Sequence, residues 1–523
     1  MLTVQHLSIT HLRDLRPLIQ DLSFTLSGSE RLAVIGEEGN GKSALLRAIC
    51  DPSSLESWAH VEGQCLLSHE TPGYLSQETP RAWDDLPVYQ LAMESPTLPG
   101  LSGSELSDLC RMLSMDPGDP WSSTPFGRLS GGEKVKFRLL TLLSSRPTML
   151  ILDEPGNDLD LDALTALESF LTACSLPVLY VSHDEYLLRR TATQVLHLES
   201  LQGRSTPRWT WARESYDLYV RTRQRNLEKQ EAAWQMETRE MKAQAERLQR
   251  IENAVAHAQD KISRRDPHGG RLLKKKMKAV KSLEHRLERE SEQATEKPLQ
   301  ELSMSVFFSG ITPVPQGKSV LRLDLNCLEA GGRSLAAPVH LHLRGSEKVL
   351  ITGKNGCGKT TLLHLIWNRL QEDGSLRCAF MPQRYEDILD PAMDPVRFLN
   401  TDGSKEMLTH IRSTLIAMRF GRDELEHPMS GLSGGQKAKV LLLRLMLARP
   451  SVLLADEPTR NLSPLSAPVM RDMILNFPGA VLCVTHDRLL MDTWPGRVLV
   501  LTESGLHPRT VLSGPETEPD NAR

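Results

Sequence analysis

No stretch of the sequence approaches the roughly 18 to 20 consecutive apolar residues that a membrane-spanning helix needs. Its first residues, MLTVQHLSITHLRDLRPL, also lack an apolar leader ahead of their charges. A membrane protein and a secreted one are both disfavoured, and the chain is expected in the cytoplasm. The eight cysteines (Cys50, Cys65, Cys110, Cys174, Cys327, Cys357, Cys378 and Cys483) include no C-x-x-C and no cysteine–histidine pair at metal-ligand spacing. That argues against a zinc ribbon or a disulfide scaffold and for free thiols in a reducing compartment. An excess of one charge is lacking overall, with 62 Lys and Arg against 66 Asp and Glu. With 24% charged and 40% hydrophobic residues the composition excludes disorder and collagen. At roughly 150 residues per domain, 523 residues leave room for about three units, each able to bury its own core.

What the sequence does contain is a duplication. GEEGNGKS at Gly36–Ser43 matches GKNGCGKT at Gly353–Thr360, and LSGGEK at Leu129 matches LSGGQK at Leu432. MLILDEP at Met149 pairs with VLLADEP at Val452, and VSHD at Val181 with VTHD at Val484. Ser130 and Ser433, Asp153 and Asp456, and His183 and His486 are each offset by 303 positions. Such collinearity marks two copies of one domain. Each copy alternates short apolar runs (LAVIG, MLILD, VLYVS; KVLITG, VLLAD, AVLCVT) with helical segments, the pattern of an α/β fold whose strands are buried on both faces. The reading gives four segments: 1–200, a connecting segment 201–300, 301–512, and a short acidic tail 513–523.

The chemistry of the repeats starts with phosphate. G-x-x-x-x-G-K-[ST] after an apolar strand is a phosphate loop, in which backbone N–H groups at a helix N-terminus cradle an anion. Gly36, Gly39, Asn40, Gly41, Lys42 and Ser43 form the first loop; Gly353, Asn355, Gly356, Gly358, Lys359, Thr360 and Thr361 form the second. The lysines neutralise phosphate, and Ser43 and Thr360 reach Mg²⁺. Asp153 and Asp456, each ending an apolar strand, hold the same metal through water. Glu154 and Glu457, next in sequence, are placed to orient an attacking water as general bases.

With LSGGE and LSGGQ the chain resembles the ATP-binding cassette superfamily over about 400 of its 523 residues. The resemblance implies a head-to-tail sandwich with ATP and Mg²⁺ at two composite sites. Ser433, Gly434 and Gly435 would close over the nucleotide held by Lys42, and Ser130, Gly131 and Gly132 over the one held by Lys359. It further implies that Gln77 (GYLSQ) and Gln383 (FMPQ) act at the metal and that His183 and His486 act in catalysis. Members commonly stack adenine on an aromatic before the first core strand; here His11 stands there in copy one, and no aromatic does in copy two. Two cassettes joined by a charged helical segment look like the ABC-F family of ribosome-acting ATPases. DEPGNDLD at Asp153 departs from that family's usual D-E-P-T-N-H-L-D at Gly156 and Asp158; DEPTRNLS at Asp456 departs at Arg460 and carries Ser463 in place of an aspartate. The site around Lys42, which the second of these loops would touch, is therefore expected to hydrolyse ATP differently from its partner.

Between the copies, Glu214 to Lys297 is rich in Glu, Lys, Arg, Gln and Ala, broken only by Asp266, Pro267, His268, Gly269 and Gly270. Two helices joined by a turn are expected, with Leu248, Ile251, Val255, Ala258 and Ile262 facing Leu273, Met277, Val280, Leu283 and Leu287. From Lys261 to Arg289 eleven basic residues stand against three acidic ones, an electrostatic footprint for nucleic acid. Arg264, Arg265, Arg271, Lys274, Lys275, Lys276 and Lys278 are the expected RNA contacts. Aromatics are nearly absent, so the segment should read shape and phosphates rather than stack on bases. Trp209, Trp211, Tyr216 and Tyr219 are expected to pack at its root. By resemblance the hairpin enters the ribosomal tRNA exit site and points toward the peptidyl-transferase centre, contacting ribosomal RNA and tRNA.

The spacing from Gln77 to Ser130 leaves no room for the extra arm of some family members, and the tail is too short for the coiled coil of DNA-associated relatives. Both features favour the antibiotic-resistance, ribosome-protecting branch. The expected protein is a monomer closed on itself, without a membrane or transmembrane partner. A DNA-associated ATPase and an ATPase subunit of a multi-chain transporter are the alternatives.

Overall fold

The computed structural model describes residues 1–67, 70–157, 159–201, 206–261, 278, 311–400, 403–418, 420–432, 434–460 and 462–509. The chain divides into two compact units, Met1–Tyr216 together with Leu302–Arg523, and Asp217–Glu301. All eight cysteines are free thiols.

The first unit contains both copies, and each is built on a six-stranded sheet. In the first copy the order is Pro72–Leu75, Met149–Asp153, Val178–Val181, Arg31–Gly36, Gln194–Leu201, Thr206–Ala212. The first five are parallel and the last pairs antiparallel with its neighbour. In the second copy the order is Cys378–Met381, Val452–Asp456, Ala480–Val484, Lys348–Thr352, Arg497–Thr502, Gly505–Pro508, again with only the last strand antiparallel. Every residue of Met149–Asp153 and of Val452–Asp456 is buried. Strands apolar on both faces must be covered twice. In copy one the helix Lys42–Cys50 and an antiparallel sheet of Pro17–Leu26, Leu2–His11 and Ala59–Leu67 join one core with Val34, Ile151 and Val181.

One sequence boundary moves. The first sheet continues past residue 200, because Val195–Leu201 pairs residue by residue with Thr206–Ala212. Trp209 and Trp211 on that added strand pack against the copy-one core. Their indole N–H groups donate to the Gln20 carbonyl (3.0 Å) and the Gln194 side chain (2.9 Å). The Tyr216 hydroxyl donates to the carbonyl of Pro464 (3.2 Å).

A single helix, Tyr216–Lys261, carries 46 residues, and at ~1.5 Å per residue it is about 70 Å long. Lys278 is helical and exposed. The turn at 266–270, the second arm, the residues Arg264, Arg265, Arg271, Lys274, Lys275 and Lys276, and the tail lie outside the described residues. Among the described residues no helix is long and apolar enough to cross a membrane.

Candidate nucleotide sites

Each glycine loop leaves the end of a central strand and opens a helix at its lysine, Lys42–Cys50 and Lys359–Asp373. Gly36 and Gly353 have φ of 150° and 151°, and a Cβ on either would lie 2.3 or 2.4 Å from the carbonyl oxygen of Leu198 or Leu501. A side chain there would push the loop off the sheet. Neither helix has a side-chain cap or an acid in its first turn, so its leading N–H groups stay available for an anion. Lys42 Nζ curls back to donate to the carbonyls of Gly36 (2.8 Å) and Glu37 (3.1 Å), and Lys359 Nζ does the same to Gly353 and Lys354 (both 2.8 Å). The Asn40 side chain is buried, and its amide donates to the Leu198 carbonyl (3.1 Å).

The acidic pairs follow at the strand ends. Asp153 accepts from the Ser43 hydroxyl (3.2 Å), whereas both carboxylate oxygens of Asp456 are buried without a hydrogen-bond partner among the described residues. A buried, unpartnered carboxylate beside a phosphate loop fits a magnesium ion, which takes few protein carboxylates and several water or phosphate oxygens. Ser43, Asp153 and Gln77 would hold it at one site; Thr360, Asp456 and Gln383 at the other. Thr360, Asp456 and Gln383 line a cavity of about 1160 Å³ together with Asn355, Gly356, Gly358, Lys359 and Thr361. Gln77 and Asp153 of the first cassette line it too.

Glu154 and Glu457 both sit at left-handed φ, 49° and 48°, a strained backbone for a residue with a Cβ and one that clusters at functional sites. Beyond that they differ. Glu154 accepts from His183 Nε2 (3.1 Å) and Asn157 Nδ2 (2.5 Å), while His183 Nδ1 contacts the carbonyl of Leu462 in the second copy (2.8 Å). An oxygen thus flanks each nitrogen of the ring, one from its own cassette and one from the other. Burial alone would raise the Glu154 carboxyl, but His183, Lys42 and Asn157 bring it down to about 2. In the second copy burial pushes Glu457 up to about 7, Asp456 adding to the rise while the His486 N–H, Lys359 and Thr485 oppose it. Among the described residues His486 has no hydrogen-bond partner on either ring nitrogen; it lies 3.7 Å from Glu457 and is held down at about 4 by burial and by the charges of Lys359 and Arg460. The Glu–His pair of the first site is thus the closer of the two and has the more acidic carboxyl.

The copies meet across these sites. Glu38 of the first loop accepts from the backbone N–H of Gly434 (2.8 Å), and a Cβ on Gly435 would collide with Glu37. The second signature glycines therefore face the loop of Lys42, and Gly131 lines the cavity of Lys359. Ser433 lies outside the described residues. Ser130 caps its own helix through a reciprocal pair with Glu133, and Gly132 is packed against Ala163. His11 contacts Trp58 at 5.9 Å between ring centroids and Asp14 at 2.7 Å; nearby Arg16 reaches the Gly39 carbonyl of the first loop (3.3 Å).

The ABC transporter family's sequence pattern matches residues 19–157 and 336–460, half of the chain. The chain belongs to the ABC transporter family. Its relatives are ABC-F proteins: it is 27% identical to ATP-binding protein Uup of Escherichia coli (strain K12), over 91% of this chain and 76% of that one. It is 28% identical to the ribosome protection protein VmlR of Bacillus subtilis (strain 168), over 91% of this chain and 82% of that one. ABC transporter F family member 2 of Arabidopsis thaliana is 27% identical over 72% of this chain and 53% of its own length. The fold is that of the archaeal ribosome recycling factor aABCE1, solved in complex with the ribosomal stalk protein aP1, with a TM-score of 0.56 at 15% identity over 97% of this chain and 90% of that one. As a tandem-cassette ABC protein the chain is an ATPase that uses ATP and Mg²⁺.

Within this ABC protein three contacts were invisible in the sequence motifs. The first is Glu37, whose carboxylate accepts from the hydroxyls of Ser463 (2.9 Å) and Ser466 (2.6 Å). Burial would raise its pKa, but those hydroxyls with Lys439 and Lys42 bring it below the ordinary value. Ser463 is thus the donor half of a pair whose acid stands on the opposite cassette. The only sequence signal is that Glu37 and Glu38 replace the Lys354 and Asn355 of copy two. Ser463→Asp is accordingly expected to lower steady-state ATPase activity by opposing two buried carboxylates, and Glu37→Ser added to it to restore the activity. A Ser463→Asp enzyme faster than the wild type would contradict this. The second is the Leu462 carbonyl on His183, and the third is Asn157 on Glu154.

The charge states of the two glutamates give opposite stability effects. Glu457 rises from 4.5 to about 7, so between those values the folded chain keeps a proton that the unfolded chain has released. Stability falls as pH rises through that window, by up to roughly 3 kcal/mol. Glu154 falls from 4.5 to about 2, so its contribution is full above 4.5 and lost as pH drops toward 2. In nucleotide-free protein with chelator at pH 8, calorimetry should show Glu457→Gln raising the melting temperature and Glu154→Gln lowering it. At pH 4.5 the Glu457→Gln effect should vanish.

Proposed function

We propose that this ABC protein is a cytoplasmic, ribosome-binding ATPase of the ABC-F type, acting as a monomer whose cassettes close on each other. The observation that carries the reading is the head-to-tail apposition: Gly434 meets the loop of Lys42, and Gly131 shares a cavity with Lys359. In this reading the two loops bind the triphosphates, the signature glycines close over them, and Glu154 and Glu457 orient the attacking waters with His183 and His486 beside them. Magnesium, when bound, neutralises phosphate charge. ATP favours the closed state and hydrolysis releases it, so the nucleotide works as a switch.

The ribosome enters through two supports. The similarity to a protein named for ribosome protection extends along nine-tenths of this chain, and the basic excess from Lys261 to Arg289 suits structured RNA. The hairpin is proposed to reach toward the tRNA exit site and peptidyl-transferase centre, with Arg264, Arg265, Arg271, Lys274, Lys275, Lys276 and Lys278 on ribosomal RNA or tRNA, and to protect the ribosome from antibiotics that act there. Sucrose-gradient sedimentation of the protein with ribosomes, with and without ATP, tests this. Co-sedimentation that requires ATP is the expected result; free protein in both conditions would exclude it.

A further inference from the structure

Away from the nucleotides the cassettes are joined by a second set of contacts, made by charges. Arg471 Nη1 bonds Glu185 Oε2 across the interface, and Arg488 bonds Glu168 (2.8 Å) and Asp184 (3.2 Å). The guanidinium of Arg488 also lies 3.9 Å from the ring centroid of Tyr186. The four side chains of the two principal pairs are each at most 12% exposed. They are held from behind: Arg189 on Glu185 (2.7 Å), Arg190 on Glu168 (2.8 Å) and Asp487 on Arg471 (2.7 Å).

The positions of these residues in the duplication are informative. Glu168 and Arg471 are the same position in the two copies, 303 residues apart, and so are Glu185 and Arg488. The interface joins 168 to 488 and 185 to 471, so each pair links one repeat position to the other across the pseudo-twofold relation of the cassettes. A first cassette set against another first cassette would bring Glu168 to Glu185 twice. A second against a second would bring Arg471 to Arg488 twice. Only unlike halves give opposite charges at both contacts.

We infer that this seam is a charge code for pairing: it recognises the other half of the same chain and rejects pairing between like cassettes of two chains. Removing a charge from water is costly, and the cost is offset only when an opposite charge and further hydrogen bonds meet it in the interior. Like charges forced together there would keep only the partners of their own cassette, Arg189, Arg190 or Asp487, and lose the cross-interface bonds to a repulsion, so repulsion supplies the selectivity that attraction alone would not. The phosphate-binding lysine and helix N-terminus are common to both copies and add no such selectivity, so beyond the contacts of Glu37 and Glu38 it falls to the seam. The seam therefore fixes which signature closes over which loop, and keeps two unequal composite sites, one with its Glu–His pair at 3.1 Å and one at 3.7 Å, as the product of every closure.

The test uses the full chain. Glu185→Arg places an arginine against Arg471, the combination that two second cassettes would present; steady-state ATPase activity is expected to fall at least tenfold. Adding Arg471→Glu reverses the second partner and is expected to recover activity at least threefold over the single variant, with a melting temperature close to the wild type. Wild-type turnover in Glu185→Arg would overturn the inference. So would a double variant that melts like the wild type yet is no more active than the single one.

Discussion

Glutamine at both 154 and 457 is expected to reduce ATP hydrolysis by about 10²- to 10⁴-fold, the usual loss on removing a general base, while ATP binding persists. The separation follows from the geometry. The loops and their lysines bind through Lys42, Lys359 and backbone N–H groups, none of which the substitution touches. Glutamine keeps the length of the side chain and can still accept from Asn157 or Thr485. With release blocked, the closed, ATP-loaded protein should accumulate on ribosomes in a sucrose gradient and arrest growth when expressed. Nucleotide-loaded double variant that sediments free of ribosomes would separate the ATPase from the proposed target and defeat the ribosomal reading.

The second large effect concerns the basic segment. Changing Lys274, Lys275 and Lys276 together to alanine removes three adjacent charges. If each meets a phosphate, the slope of log affinity against log salt shrinks by roughly 0.7 to 0.9 per contact. Over a fourfold rise in salt, from 50 to 200 mM, the wild type should then lose about 20- to 40-fold more ribosome affinity than the variant. ATPase activity without ribosomes should stay nearly unchanged. Arg264 and Arg265, beside the turn, are expected to matter more for antibiotic protection than for affinity. A triple variant with wild-type affinity and wild-type salt slope would assign these lysines to a merely solvated helix face.

The parts of the structure that depend on local pattern were readable from the residues. MLILD and VLLAD are apolar on both faces and became central parallel strands, and the two glycine loops could be placed because only glycine fits against Leu198 and Leu501. The antiparallel strands of copy one were harder to read. Leu2–His11 pairs with Pro17–Leu26 through register shifts between Val4 and Thr10, and with Ala59–Leu67 through one between Gln5 and Ser8, which blur a period of two. TPRWTWA, with its proline and two tryptophans, carries no strand signal and reads as part of the connecting segment. At the site, motif spacing identified Glu154 and Glu457 but gave them identical roles. Their difference lies in a carbonyl 279 residues from His183 and in how deeply each pair is buried, and neither is encoded in a local run. The same holds for Glu37, whose partner Ser463 is 426 positions away.

That carbonyl gives the duplicated machine a direction. Leu462 belongs to the second half, yet it orients the histidine of the first, and among the described residues nothing performs the reciprocal service for His486. Parting the halves strips His183 of one of its two oxygen neighbours and leaves the ring to be oriented by Glu154. Among the described residues His486 has no such bond to lose, and the first half acts on it only through the nearby charge of Asp160 and a shared cavity. Closure is therefore felt at the first site through a hydrogen bond and at the second through charge and enclosure. Two copies of one domain thus read their own closure in different ways, the first of them through a single backbone oxygen of the second.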